Sequence, residues 1–154
     1  MQAIQELLSN RVLISGLVGW GAAQVLKTII YALMHHTLDL TRIFGDGGMP
    51  SGHSATVSSF AVAAAFVYGL DSFEFAIAAV LAVIVCKDAM GVRLETGKQA
   101  AIINEIVRAF DELSSGKLTD VKLKEFVGHT PIQVLAGILL GIVNAVLLHL
   151  FIFP

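Results

Sequence analysis

Cysteine is nearly absent from this sequence. Cys86 stands alone, so no intrachain disulfide can hold the fold. It sits in an apolar run and reads as a packing residue. Charge is scarce as well. Charged residues make up 14% of the chain and hydrophobic residues 56%, with a mean hydropathy of +0.79. A soluble domain carries about 25% charged residues, so the composition excludes an ordinary soluble fold and indicates an integral membrane protein. Net charge is -2, which leaves no basic footprint for nucleic acid. No Cys/His or HExxH spacing points to a metal. The opening MQAIQELLSNR lacks the basic n-region of a cleaved signal peptide, so Met1 is expected to be the mature start. No internal repeat and no low-complexity segment occurs.

Long apolar runs are what the chain does have. Crossing the hydrocarbon takes about 20 helical residues, fewer where the bilayer thins. Four runs are candidates: Val12 to Met34, about Ser54 to Leu70, about Phe73 to Met90, and Ile132 to Phe153. The second and third are short and joined only by Asp71 and Ser72, a tight helical hairpin. Starting them at Ser51 and Asp71 brings them to spanning length. A polar insert, Gly91 to His129, separates the third and fourth. Its Ile102, Ile103, Ile106, Phe110 and Leu113 fall at i, i+3/4 spacing, which predicts an amphipathic helix. Ser114 to Lys117 breaks it, and a shorter helix over about Asp120 to Val127 is expected to follow. Such an insert lies on the membrane surface or on the bundle, or offers a partner-binding face. The expected fold is all-α: one membrane-embedded domain over residues 1–154, with about four transmembrane helices and a helical insert over about 91–129.

Basic residues mark the sides. Arg42 lies in the first loop, and Lys87, Arg93, Lys98, Arg108, Lys117, Lys122 and Lys124 lie in or beside the insert. The opposite side has only Arg11. The positive-inside rule therefore puts the first loop and the insert in the cytoplasm of a plasma (inner) membrane protein, with both termini outside.

Two polar motifs open two of the spans. MPSGHSA places His53 at the start of the second, and GHTPIQV places His129 at the start of the fourth, with Thr130-Pro131 as cap and first-turn proline. The second span leaves the first-loop side and the third returns to it, so topology alone puts both histidines on one membrane face. Helix N-termini carry unpaired N–H groups and partial positive charge, which suits an anion. Gly47, Gly48 and Gly52 let backbone N–H groups come close to an oxyanion. Lys27, Arg42 and Arg93 can converge on the same side. Lys27 lies within an apolar span, where charge needs a partner, and a bound anion answers that need better than snorkelling. Taken singly, His53 and His129 could each be interfacial polar residues. His35 and His36 read as interfacial, His149 as structural, and Asp88 and Glu95 as ion-pair partners of Arg93. Gly137, Gly141 and Ala145 form a small-residue packing stripe.

At these residues the chain resembles the superfamily of type 2 phosphatidic acid phosphatases and vanadium-dependent haloperoxidases. PSGH, Pro50 to His53, matches its central motif, and Gly128 to Gly141 resembles its third. GGMPSGHSATV, DAMGVRLETGKQA and GHTPIQVLAG together are similar to its divergent branch of small membrane proteins, labelled acid phosphatase/vanadium-dependent haloperoxidase-related. The resemblance covers most of the chain. It implies His129 as a nucleophile forming a phosphohistidine, and His53 as the general acid. Ser51 and Gly52 become phosphate donors, and Lys27 the first-motif lysine. Gln133 stands where the superfamily has Asp; it can accept a ring N–H without bringing charge. The usual Arg-Pro does not follow Lys27, and the nearest downstream arginine is Arg42. Leu123 occupies the third-motif arginine position, for which Arg93 could substitute in space.

The implied function is a metal-independent lipid phosphatase without cofactor. Its substrate would be a phospholipid or polyprenyl phosphate or diphosphate, and vanadate would mimic the phosphate. Two alternatives share the pocket: a non-catalytic binder of phospholipid headgroups, and a vanadium-dependent haloperoxidase. A transporter fits four spans poorly unless the protein forms a homo-oligomer.

Overall fold

A computed structural model describes residues 1–37, 48–114, 122–125 and 127–153. The described elements are all helical: α1 Gln2–Leu8, α2 Arg11–His35, α3 Gly52–Tyr68, α4 Phe73–Met90, α5 Val92–Ser114 and α6 Pro131–Phe151. Arg42, Gly47 and Lys117 lie outside the described residues.

Polar caps set the helix starts. Asn10 accepts from Leu13 N at 3.0 Å and opens α2, and Ser72 accepts from Phe75 N at 3.1 Å and opens α4. Each satisfies a first-turn N–H that has no partner inside its own helix. Ser51 caps α3, one residue before the span proper, so the helix starts ahead of its apolar core.

Three helical runs are long and apolar enough to cross a membrane: α2, α4 counted with its continuation α5, and α6. At about 1.5 Å per residue, the 25 residues of α2 reach roughly 37 Å. The 17 residues of α3 reach roughly 25 Å. This shorter helix is nonetheless central, packing on α2, α4 and α6. The all-α expectation holds, and about four membrane helices is consistent with this arrangement.

Small residues let the helices approach backbone to backbone. A Cβ on Gly19 of α2 would lie 2.9 Å from Ser59 Cβ and 3.0 Å from the Ala55 carbonyl oxygen of α3. On α6, Gly137 abuts the Ser51 carbonyl and Gly141 the Ala55 carbonyl. The Gly137, Gly141, Ala145 stripe is therefore the packing seam on α3, with all three residues buried. Without a hydrophobic force between helices in lipid, such contact and interhelical hydrogen bonds hold a bundle together. One such cluster joins three helices: Ser59 Oγ donates to Ser15 O at 2.7 Å, and Asn144 Nδ2 donates to Ser59 Oγ at 2.7 Å and to Ser15 O at 3.1 Å. Residue pairings run opposite ways along α2 and α3 and the same way along α3 and α6.

The amphipathic helix expected in the insert is α5, which follows α4 after the single residue Gly91, whose N–H bonds back to Lys87 O at 2.9 Å. Its predicted apolar stripe (Ile102, Ile103, Ile106, Phe110 and Leu113) is exposed. Residues 122–125 are not helical, which corrects the helix expected over about 120–127. Asn104 of α5 draws this segment out instead. Its amide accepts from Leu123 N at 3.0 Å and donates to Leu123 O at 2.8 Å, satisfying backbone groups a helix would otherwise pair.

Candidate functional site: two histidines at two helix starts

Residues 48–53 turn the chain into α3. Gly48 has φ +83°, a conformation side chains rarely adopt, and a Cβ there would sit 3.4 Å from Lys27 Cγ and Cδ. Lys27 is buried on α2, packed along this glycine. Ser51 N donates to Gln133 O at 3.0 Å, which straps the start of α3 to the first turn of α6. The Ser51 hydroxyl oxygen accepts from Ser54 N at 3.4 Å and from Ser54 Oγ at 3.0 Å. Expected as a phosphate donor, Ser51 is wholly buried as the helix cap. Gly52 is the first helical residue and His53 the second, and His53 is exposed.

The second half is built by Gly128. Its φ is +85°, and a Cβ would collide with Leu94 N and lie 2.6 Å from Arg93 C. Only glycine lets this segment pass against the start of α5. His129 follows, 3% exposed, with its N–H donating to Ala89 O at the end of α4 at 3.0 Å. Thr130 caps α6. Its hydroxyl accepts from Gln133 N at 3.4 Å, while Gln133 Oε1 accepts from Thr130 N at 3.0 Å. This reciprocal capping box employs the amide expected beside the histidine ring.

The two halves meet. The His53 and His129 ring centroids are 6.2 Å apart, with ring planes at 73°. Among the other expected residues, Lys27 packs on Gly48, and Gly52 opens α3 immediately before His53. Arg93 stands behind Gly128 and is held by Asp88, Nε to Oδ2 at 2.8 Å, an exposed pair. Glu95 pairs with Lys98 at 2.7 Å rather than with Arg93. At the other end of the bundle, His149 stacks on Phe66 at 4.2 Å between centroids, in keeping with a structural role.

One buried polar residue beside the start of α3 went unmarked in the sequence. Gln24 is buried on α2, one turn before Lys27, and its amide lies beside Gly52. The available signal was a lone amide three residues from a lone lysine, on one face of an apolar helix.

A bundle of long apolar helices, with two imidazoles brought together at two helix starts, defines an integral membrane protein. The chain belongs to the Divergent PAP2 family, whose model matches residues 8–144. It is also similar to the uncharacterized membrane protein YuiD of Bacillus subtilis. The two are 40% identical over 155 residues, covering 95% of this chain and 98% of the relative. No solved structure matches.

Proposed function

We propose that the protein is a membrane phosphatase that removes a phosphate monoester or diphosphate group from a lipid at the membrane surface. The carrying observation is the convergence of His53 and His129, 6.2 Å apart between centroids. A reacting nitrogen stands about 3–3.5 Å from the atom it attacks, and a proton donor about 2.6–3.2 Å from its acceptor. Two imidazoles that serve one phosphoryl group must therefore share one small site, and the side-by-side placement of His53 and His129 supports that reading.

In this mechanism neutral His129 attacks phosphorus. As the N–P bond forms, the ester P–O bond breaks, and protonated His53 gives its proton to the leaving oxygen. Water then attacks the phosphohistidine, His53 takes up a water proton, and the N–P bond breaks to release phosphate. First-turn N–H groups of α3 and the Lys27 ammonium stabilise charge on the phosphoryl oxygens, which is most of what such a transition state requires. Opening at the cytoplasmic interface would admit a headgroup while its tails stay in lipid. The mechanism assigns no step to a metal or cofactor, and vanadate would occupy the phosphate position.

The purified protein in lipid discs is expected to release phosphate from phosphatidic acid, phosphatidylglycerol phosphate or a polyprenyl diphosphate, without added magnesium. Vanadate should block it. Full activity in His129→Ala would refute the nucleophile assignment. A second reading, a headgroup binder without turnover, draws on the engagement of Gln133 Oε1 with Thr130 N and on Gln133 standing where a carboxylate would support an imidazolium. Binding without phosphate release across a lipid panel would favour it.

A further inference from the structure

Helix α2 holds a buried polar group that the proposed mechanism leaves unused. Gln24 is 8% exposed, and its Oε1 finds no hydrogen-bond donor among the described residues. Buried acceptors are normally paired, and one that is not calls for an explanation. The amide stands against the first turn of α3: a Cβ on Gly52 would lie 4.0 Å from both Gln24 Cδ and Gln24 Nε2. One turn along the same face, Lys27 packs against Gly48. Gln24 and Lys27 thus line the turn into α3 and its first residue, next to His53 in sequence.

We propose that Gln24 is a ligand-binding residue whose Oε1 accepts a hydrogen bond from the protonated oxygen of a phosphate-ester monoanion lying between His53 and His129. The proposal rests on the reading of the two histidines as a phosphate site. Its other groups donate: the N–H groups at the start of α3, the Lys27 ammonium and a protonated His53. Bare phosphoryl oxygens pair with these. A carbonyl oxygen repels a bare phosphoryl oxygen and can pair, among the oxygens of such a ligand, only with the one that carries a hydrogen. A phosphate monoester keeps one such hydrogen below its second pKa of about 6, whereas a phosphodiester or a sulfate ester has none at the same charge. Gln24 therefore selects monoesters, and the terminal group of a diphosphate, over diesters. The consequence suits a protein embedded in bilayer, because most phospholipid headgroups are diesters and would be refused.

The test uses three soluble monoanions of similar shape: methyl phosphate, methyl sulfate and dimethyl phosphate. Their affinities are compared by ligand-observed NMR on the detergent-solubilised protein at about pH 5, below the second phosphate pKa. The wild type should prefer methyl phosphate by about tenfold, in the range expected for one buried hydrogen bond. In Gln24→Leu the preference should fall to within about twofold. Equal affinity for methyl phosphate and methyl sulfate in the wild type overturns the role of Gln24 and leaves the phosphate site standing. That comparison needs no variant to fold. An unchanged preference in Gln24→Leu overturns the role as well. Binding of none of the probes overturns the phosphate-site reading and this proposal with it.

Discussion

Replacing Gly137 by alanine adds one methyl group, and the structure dictates where it goes. The new Cβ would press on the Ser51 carbonyl oxygen, 2.9 Å from Ser54 Cβ and 3.3 Å from Ala55 N. Carbon atoms rest about 3.5–4.0 Å apart, so α6 must retreat from α3 by roughly 0.6–1 Å to clear Ser54 alone. Neither neighbour can yield easily, since Ser51 and Ser54 are wholly buried and part of the cap. Overpacking of this kind costs about 1–3 kcal/mol. Gly21→Ala is the matched control: it too sits inside a helix, and its Cβ meets nothing within 4 Å. Helix propensity changes equally in both variants, so their difference isolates the packing contact. Thermal unfolding in detergent should put Gly137→Ala several degrees below Gly21→Ala. The same retreat shifts the Ser51–Gln133 strap and hence His129 relative to His53. A displacement of about 1 Å at a reacting centre can cost about 100-fold in rate. Equal melting temperatures for the two variants would refute the packing argument, and with it the claim that the α3–α6 seam sets the histidine spacing.

Asn144→Leu removes the donor to Ser15 O and Ser59 Oγ, and unfolding should register a loss of about 0.6–1.7 kcal/mol, the range for interhelical hydrogen bonds in membranes. Arg93→Ala breaks only an exposed pair with Asp88, so stability should change by less than about 1 kcal/mol; a large loss of phosphate release at unchanged melting temperature would place Arg93 on the substrate. Phosphate release should trace a bell against pH, because one histidine must be neutral and the other protonated, and His53→Gln should flatten the limb on which activity falls as pH rises. Gly128→Ala should destabilise the junction of α5 and α6 by more than Gly21→Ala does, measured by the same melting assay, since its backbone has φ +85° and no room for a Cβ.

Much of the bundle was legible in the sequence because lipid imposes a simple rule. A spanning segment must be long, apolar and helical, since only a helix pairs every backbone group within itself. Runs of that kind, with Thr130 read as a cap and Ser51 and Asp71 as earlier starts, mark the membrane helices within a few residues; that Ser51 and Ser72 cap their helices came from the structure. Topology then carried His53 and His129 to one face. The insert was harder to read: the apolar spacing of α5 was visible, but the path of residues 122–125 is decided by the Asn104 side chain, 19 residues from Leu123 in sequence.

The sequence by itself determined an all-helical membrane chain with a histidine at each of two helix starts. Tertiary structure alone decided what those starts do. It spends the Ser51 hydroxyl and Gln133 Oε1 on caps, because buried first-turn N–H groups must be paired. It also brings the two imidazoles within 6.2 Å and turns Gln24 toward Gly52 with an acceptor unfilled. These outcomes depend on how closely α2 and α6 approach α3. That distance is set by Gly19, Gly137 and Gly141 acting across helices, a relation that no local pattern of residues contains.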